Sequence, residues 1–212
     1  MALAELQIGP QLLSNGVKAT ARGTKEGSAV VQDAHARFQQ AVLDGNCYMA
    51  ADTAGRAVAL ASATAPVGLT LYNPIDSSVN LVLWWASLTT TVVSGGICVP
   101  VLTANTNSAA AIITAGTALV PTNCLLSNKR GAGQVWIGTT LPAAPTIVHI
   151  FDGQATGAVT TTTNTGTIGG WFDGSIILQP NTAVSFGCVT TAGAAAGLWG
   201  QFKWEEISRA NS

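Results

Sequence analysis

Two histidines, four cysteines and six tryptophans carry most of the chemistry available to this chain of 212 residues. His35 and His149 are the only bases suited to neutral pH. His35 sits in Gln32-Asp33-Ala34-His35-Ala36-Arg37, and His149 lies between Val148 and Ile150. No Gly-x-Ser-x-Gly elbow and no His-x-x-x-His pair accompanies them, so both read as hydrogen-bonding surface or interface residues. The acids beyond the N-terminal quarter are Asp76, Asp152, Asp173, Glu205 and Glu206. Asp76 lies in a turn, and Asp152 and Asp173 precede glycine, so they read as turn formers rather than a glycosidase pair. No acids cluster as calcium requires. Lys129-Arg130-Gly131-Ala132-Gly133 reads as an exposed tip; it has no following Ser or Thr and no helix, so it is not a phosphate loop. No catalytic residue, metal, cofactor or small-molecule substrate is expected.

The cysteines, Cys47, Cys98, Cys124 and Cys188, are too far apart for a CxxC pair. They read as four reduced, mostly buried thiols. The indoles are more informative. Trp84-Trp85, Trp136, Trp171-Phe172 and Trp199 offer flat faces that stack on a sugar ring or a partner. Trp84-Trp85 lies in the most apolar run, so one belongs to the core and the other to the core or an interface. Trp171 and Phe172 sit in the loop-like Gly-Gly-Trp-Phe-Asp-Gly and are the candidate ligand or partner contact.

Composition narrows the function classes. Hydrophobic residues make up 48% and charged residues only 9%, against a usual ~25% charged. A soluble monomer normally carries more charge. Either Thr, Ser, Asn and Gly supply the surface, or copies and partners cover much of it. The net charge of −1 offers no basic excess for nucleic acid. The apolar start has Glu5 within it and no basic segment before it, which is not the pattern of a signal peptide. Residues 79–88 form the densest apolar run, about half the ~20 residues of a membrane helix. Scattered tryptophans do not make the girdles of a membrane barrel. Neither a nucleic-acid nor a membrane partner is expected.

The elements that must position these side chains are strands. Residues 67–72 alternate Val67, Leu69 and Leu71 with Gly68, Thr70 and Tyr72. After the turn Asn73-Pro74-Ile75-Asp76-Ser77-Ser78, residues 79–91 place Val79, Leu81, Leu83, Trp85 and Ser87 on one face. Asn80, Val82, Trp84, Ala86 and Leu88 take the other. Both faces are apolar, as in a strand covered on both sides. The two runs read as the central pair of an all-β domain. Residues 38–43 fit a helix or a strand, and a strand is favoured before the Asp44-Gly45-Asn46 turn. Residues 56–65 read as a small-residue strand. Pro100 marks residues 92–102 as an edge or a bulge. Residues 103–127 read as a long loop excursion, and the Thr/Gly-rich 153–170 as a flexible loop or surface ribbon. Short strands are expected at 134–139 and 146–151. Three more follow at 174–178, 183–189 and 198–207. Strands about every ten residues, with no strong helical run, indicate an antiparallel β-sandwich or barrel. Residues 1–27, interrupted by Gly9-Pro10, Asn15-Gly16 and Gly23, read as an extended N-terminal arm. Residues 28–212 form the β domain.

The order of these blocks resembles small virion structural proteins of tailed bacteriophages, of the jelly-roll decoration or cement type. The resemblance spans about residues 28–208. Its carriers are Gln32-Asp33-Ala34-His35-Ala36-Arg37-Phe38 with Asp44-Gly45-Asn46, and Leu69-Thr70-Leu71-Tyr72-Asn73-Pro74 before Val79-Asn80-Leu81-Val82-Leu83. Further carriers are Pro121-Thr122-Asn123-Cys124-Leu125-Leu126, Gly174-Ser175-Ile176-Ile177-Leu178-Gln179-Pro180-Asn181-Thr182 and the closing Trp204-Glu205-Glu206-Ile207. The resemblance implies a jelly-roll-like β-sandwich, a homotrimer, made in the host cytoplasm and placed on the virion's capsid surface. The implied partner is the phage major capsid protein, and no catalytic residue is implied. On this reading Leu6, Ile8, Leu12 and Leu13 of the arm are candidate subunit or capsid contacts. So is the outer face of the apolar strand, with Val82, Trp84 and Leu88. The alternative is a receptor- or carbohydrate-binding head or tail module.

Overall fold

The computed structural model describes residues 38–52, 54, 56–57, 63–65, 68–92, 98–106, 113, 115–151, 167–190 and 197–209. The chain divides into residues 1–40 and 41–212, and the sandwich lies in the second unit. The expected arm boundary after residue 27 falls outside the described residues, as do Leu6, Ile8, Leu12, Leu13 and His35.

The described elements are one short helix and a series of strands. They run α1 (Gln39–Leu43), β1 (Cys47–Ala51), β2 (Arg56–Ala57), β3 (Leu69–Asn73), β4 (Val79–Val92), β5 (Cys98–Thr106) and β6 (Thr117–Leu119). Then come β7 (Thr122–Asn123), β8 (Gln134–Ile137), β9 (Thr146–Ile150), β10 (Thr167–Leu178), β11 (Thr182–Thr190) and β12 (Gly197–Ser208). The first sheet has the order β10-β4-β12-β1-β7, with β2 joining β12; the second runs β6-β8-β3-β11-β5-β9. The pairings nest: β5 with β9, β4 with β10, β3 with β11, and β1 with β12, all antiparallel. A long two-ply ribbon paired in this way and rolled up is a jelly roll, the expected sandwich class.

The core lies between the sheets. Leu81, Leu83, Ala86, Leu88, Phe172, Leu178, Phe202 and Trp204 from the first sheet meet Leu69, Leu71, Leu102, Phe151, Val184, Phe186 and Cys188 from the second. Alternation delivers these residues: on β12 Phe202 and Trp204 face inward, and on β11 Val184, Phe186 and Cys188 do. Phe186 stacks flat on Phe202 across the gap, with ring centroids 4.4 Å apart. A smaller cluster of Tyr72, Leu141 and Ala183, with Trp136 against it, covers the other face of the second sheet.

Several expectations change. β3 and β4 are not a paired hairpin, because they belong to opposite sheets. The turn between them is an arch, and buried Asn73 fixes it. Its side-chain amide donates to the carbonyls of Val79 and Leu178, both at 2.9 Å. Its own carbonyl accepts the Asn181 N–H at 2.8 Å. One residue thus ties β3 to the start of β4 and the end of β10. Residues 39–43 are helical rather than extended. Their last turn closes through Gly45 N–H to Val42 and Asn46 N–H to Ala41. β10 starts at Thr167, inside the segment taken for a loop, and β6 and β7 lie within the expected excursion. Of the strand expected at 56–65, Arg56–Ala57 is described as β2. β5 is an interior strand despite Pro100. The Pro100 carbonyl accepts the Phe151 N–H at 3.0 Å, so its amide-less nitrogen faces the same side, beyond the end of β9. A register shift follows between Leu102 and Thr103. Cys188 is disulfide-bonded, whereas Cys47 and Cys124 are free thiols. Four reduced thiols were expected from sequence distance, which hides the neighbours a ladder creates.

Candidate interaction surfaces

The face of β4 depends on one extra residue. Lys203 on β12 pairs with Trp85 and Trp204 pairs with Leu83, so the ladder register skips Trp84, which forms a bulge. The bulge resets the alternation. Leu81 and Leu83 point into the core before it, and Ala86 and Leu88 after it. The expected grouping of Val82, Trp84 and Leu88 on one outward face is therefore corrected. Leu88 is an interior residue, 1% exposed. Val82 and Trp84 are buried within the single chain. The Trp84 indole N–H donates to the Glu205 carboxylate. Burial pushes the Glu205 carboxyl above the usual carboxylate range and nearby Asp44 pushes the same way, while the Trp84 bond pulls it back.

Trp171 and Phe172 separate. Both are in β10, so adjacent side chains point to opposite faces. Phe172 is buried in the core, 6.4 Å from Phe151. Trp171 points outward, 57% exposed, and meets Trp85 edge-on with centroids 4.9 Å apart. Asp173 and Gly174 follow with φ of 49° and 83°, making a second bulge in β10. Trp199, on the outward phase of β12, is 46% exposed.

The two sides of the sandwich are unequal. On one side the sheets end in β6 and β7, of three and two residues. Short edges of this kind offer little to a further strand. On the other side they end in β9 and β10, of five and twelve residues. These two edges meet, since the His149 ring packs edge-on against Phe172 at 4.9 Å. β9 reads Thr-Ile-Val-His-Ile, without Lys, Arg, Asp, Glu or Pro. Ile147, Val148 and Ile150 are exposed there, and Ile177 is exposed on β10.

At the opposite side, the Lys129–Gly133 segment is held rather than free. The Glu206 carboxylate accepts the N–H groups of Ala132 and Gly133 at 2.9 and 2.8 Å. A Cβ on Gly131 would sit 2.3 Å from that carboxylate, so a larger residue there would push the Glu206 side chain out of its present position. Two shallow clefts of about 280 and 440 Å³ border this segment, sharing Val120, Pro121 and Arg130. Leu126, which lines the larger cleft, is 76% exposed and has φ of 58°. Sequence reading missed this patch; Pro121-Thr122-Asn123 was the available turn signal.

Among the described residues no group of three His, Cys, Asp or Glu side chains could hold a metal, and no helix is long and apolar enough to cross a membrane. His149 lies between Phe151 and Phe172, each 4.9 Å away. Glu205 and Glu206 are on opposite faces of β12, bonded to Trp84 and to the 132–133 backbone respectively. Cys47 and Cys124 face each other where the Cys124 N–H donates to the Cys47 carbonyl at 2.8 Å, and burial raises both thiol pKa values. The chain matches no protein-family model, no curated protein and no solved structure.

Proposed function

We propose that this protein is a non-enzymatic structural component that works as one of several identical copies. In its most specific form it is a decoration or cement protein of a phage virion, a homotrimer that docks on the major capsid protein and stabilises the shell. The observation that carries assembly is the unguarded side of the sandwich. Natural sheets blunt long edges with charge, proline or short strands. β6 and β7 are short, and β10 has a bulge bearing Asp173. β9 carries neither charge nor proline; its ladder to β5 shifts register at Val148, and its Ile147, Val148 and Ile150 side chains are exposed. Low charge, at 9% of residues, supports the same reading. The virion assignment rests on the resemblance of the sequence blocks.

Sedimentation of the purified chain tests the first part. Wild type is expected to sediment as a trimer, and Val148→Lys together with Ile150→Lys as a folded monomer. A monomeric wild type at micromolar concentration would overturn assembly through this side. The virion assignment is tested by purifying phage particles. The chain should be present at a fixed ratio to the shell protein, and its absence would refute that assignment.

A further inference from the structure

We propose that the outer face of β10, β4 and β12 is a binding platform for a neutral oligosaccharide. The ladder registers define the face. Its central row is Gly169, Ser87 and Gln201. One flanking row is Trp171, Trp85 and Lys203, and the other Thr167, Thr89 and Trp199. An exposed indole therefore stands at each of two diagonal corners of a polar floor, Trp171 at 57% and Trp199 at 46% exposure.

The floor is built to hold its shape. A Cβ at Gly169 would lie 2.5 Å from the Trp85 ring and 3.0 Å from Ser87 Cβ, so the Trp85 indole rests over the glycine backbone. Lying there, it braces Trp171 edge-on. The hydroxyls of Thr89 and Thr167 bond to each other across the strands at 3.0 Å. Little side-chain freedom would be lost on binding, which is the condition for useful affinity at a shallow site.

The chemistry of the face selects the ligand. Large exposed indoles attract a flat, apolar surface. Hydroxyls and an amide beside them call for a ligand that also bears many donors and acceptors. A pyranose has both, with C–H groups on its faces and hydroxyls around its rim. The nine positions include no carboxylate and a single cation, Lys203, which gives no basis for phosphate-backbone binding. A second copy of the chain would meet a polar central row here, whereas exposed aliphatic side chains gather elsewhere, at Ile147, Val148 and Ile150 of β9 and at Val120, Leu125 and Leu126. Trp171 and Trp199 are separated by four residues along the strands and two strands across. At ~3.3 Å per residue and ~4.8 Å per strand, that diagonal is roughly 16 Å. One sugar ring cannot touch both, so affinity should rise with chain length.

The purified full chain, probed on an array of neutral and acidic glycans, tests the proposal. Soluble forms of the retained glycans are then titrated by tryptophan fluorescence. Neutral oligosaccharides are expected to bind, with monosaccharides at least tenfold weaker. Trp171→Ala and Trp199→Ala should each weaken binding at least tenfold, with unchanged thermal melting. A blank array would overturn the proposal, as would binding indifferent to both substitutions. If instead the two variants dissociate the oligomer, the face is a copy-to-copy contact and the proposal fails. The assembly reading is tested separately by the Val148→Lys and Ile150→Lys chain, which leaves the platform intact.

Discussion

Gly200→Ala puts one methyl group where the sandwich has no room for it. Gly200 faces inward on β12, and a Cβ there would lie 2.6 Å from both Cδ2 and Cε2 of Phe186 and 3.4 Å from Leu69 Cβ. Carbon contacts are favourable only near 3.5–4.0 Å, so the ring must retreat by about 1 Å. It has little freedom to do so. Phe186 stacks on Phe202 at 4.4 Å with the rings 4° from parallel, and leans on Phe151 at 6.2 Å. β12 cannot retreat either, because β4 and β1 bond to both its edges. Overpacking of this kind costs about 1–3 kcal/mol. The lower chain entropy of alanine when unfolded offsets about 0.4–1 kcal/mol. A net loss of roughly 1–2 kcal/mol remains, which at about 2–4 °C per kcal/mol for a chain of this size lowers Tm by ~2–8 °C. Calorimetry on the single variant measures the loss. A double-mutant cycle with Phe186→Leu isolates the cause, since removing the ring edge should make the added methyl cheaper by at least ~0.5 kcal/mol. A Gly200→Ala chain as stable as wild type, or strictly additive substitutions, would refute this account of the core.

Two further perturbations follow from named groups. Burial raises the Glu205 carboxyl above its ordinary value of 4.5, so the folded state holds this proton more tightly than the unfolded chain. Its contribution to stability is then fully present below pH 4.5 and is lost as pH rises through the raised value. Glu205→Gln, which can still accept from Trp84, should therefore raise Tm at pH 7 and lose that advantage at pH 4; an equal gain at both values would contradict the assignment. Leu126 stands in the left-handed region at φ 58°. β-Branched residues tolerate it worst and glycine best. Urea melts should find Leu126→Gly at least as stable as the parent and Leu126→Val lower by about 1 kcal/mol; the reverse order would rule out the strain.

Strands with an unbroken period of two were legible in the sequence. β11 and β12 are the clearest cases, with Val184, Phe186, Phe202 and Trp204 inward as their alternation requires. The Gln179–Thr182 turn was legible for the same reason, and Asn181 occupies it with φ of 61°. What failed has identifiable causes. A strict alternation over 79–91 has no place for the bulge at Trp84, so it put Leu88 on the wrong face. Alternation also says nothing about partners, so β3 and β4 were paired when buried Asn73 instead carries the chain from one sheet to the other. Helix α1 has five residues, too few for a helical period to show. The Thr/Gly composition before Trp171 suggested a loop, yet Gly169 is needed inside a strand to admit the Trp85 ring. At the candidate site Trp171 could be singled out from sequence. Phe172 could not be separated from it until both were known to lie in one strand. The union of Trp171, Trp85 and Trp199 on one face requires the register of three strands distant in sequence.

β10 belongs to both proposed surfaces, and the geometry makes the two uses compatible. Its edge runs beside β9 on the long-edged side of the sandwich, while Trp171 stands on its outer face. A copy that adds at an edge continues the sheet in its own plane, because ladder hydrogen bonds lie in that plane. It therefore leaves the outer face of β10, β4 and β12 uncovered. Packing face to face would instead bury Trp171 and Trp199 and remove the platform. If copies assemble through the side formed by β9 and β10, as proposed, several platforms would share one particle, each a modest, shallow site. Repetition then supplies what a single shallow site lacks, since linked sites can raise overall avidity by ~10²–10⁴ without any new contact. A surface protein held in many copies can thus grip a polysaccharide whose individual segments it binds weakly.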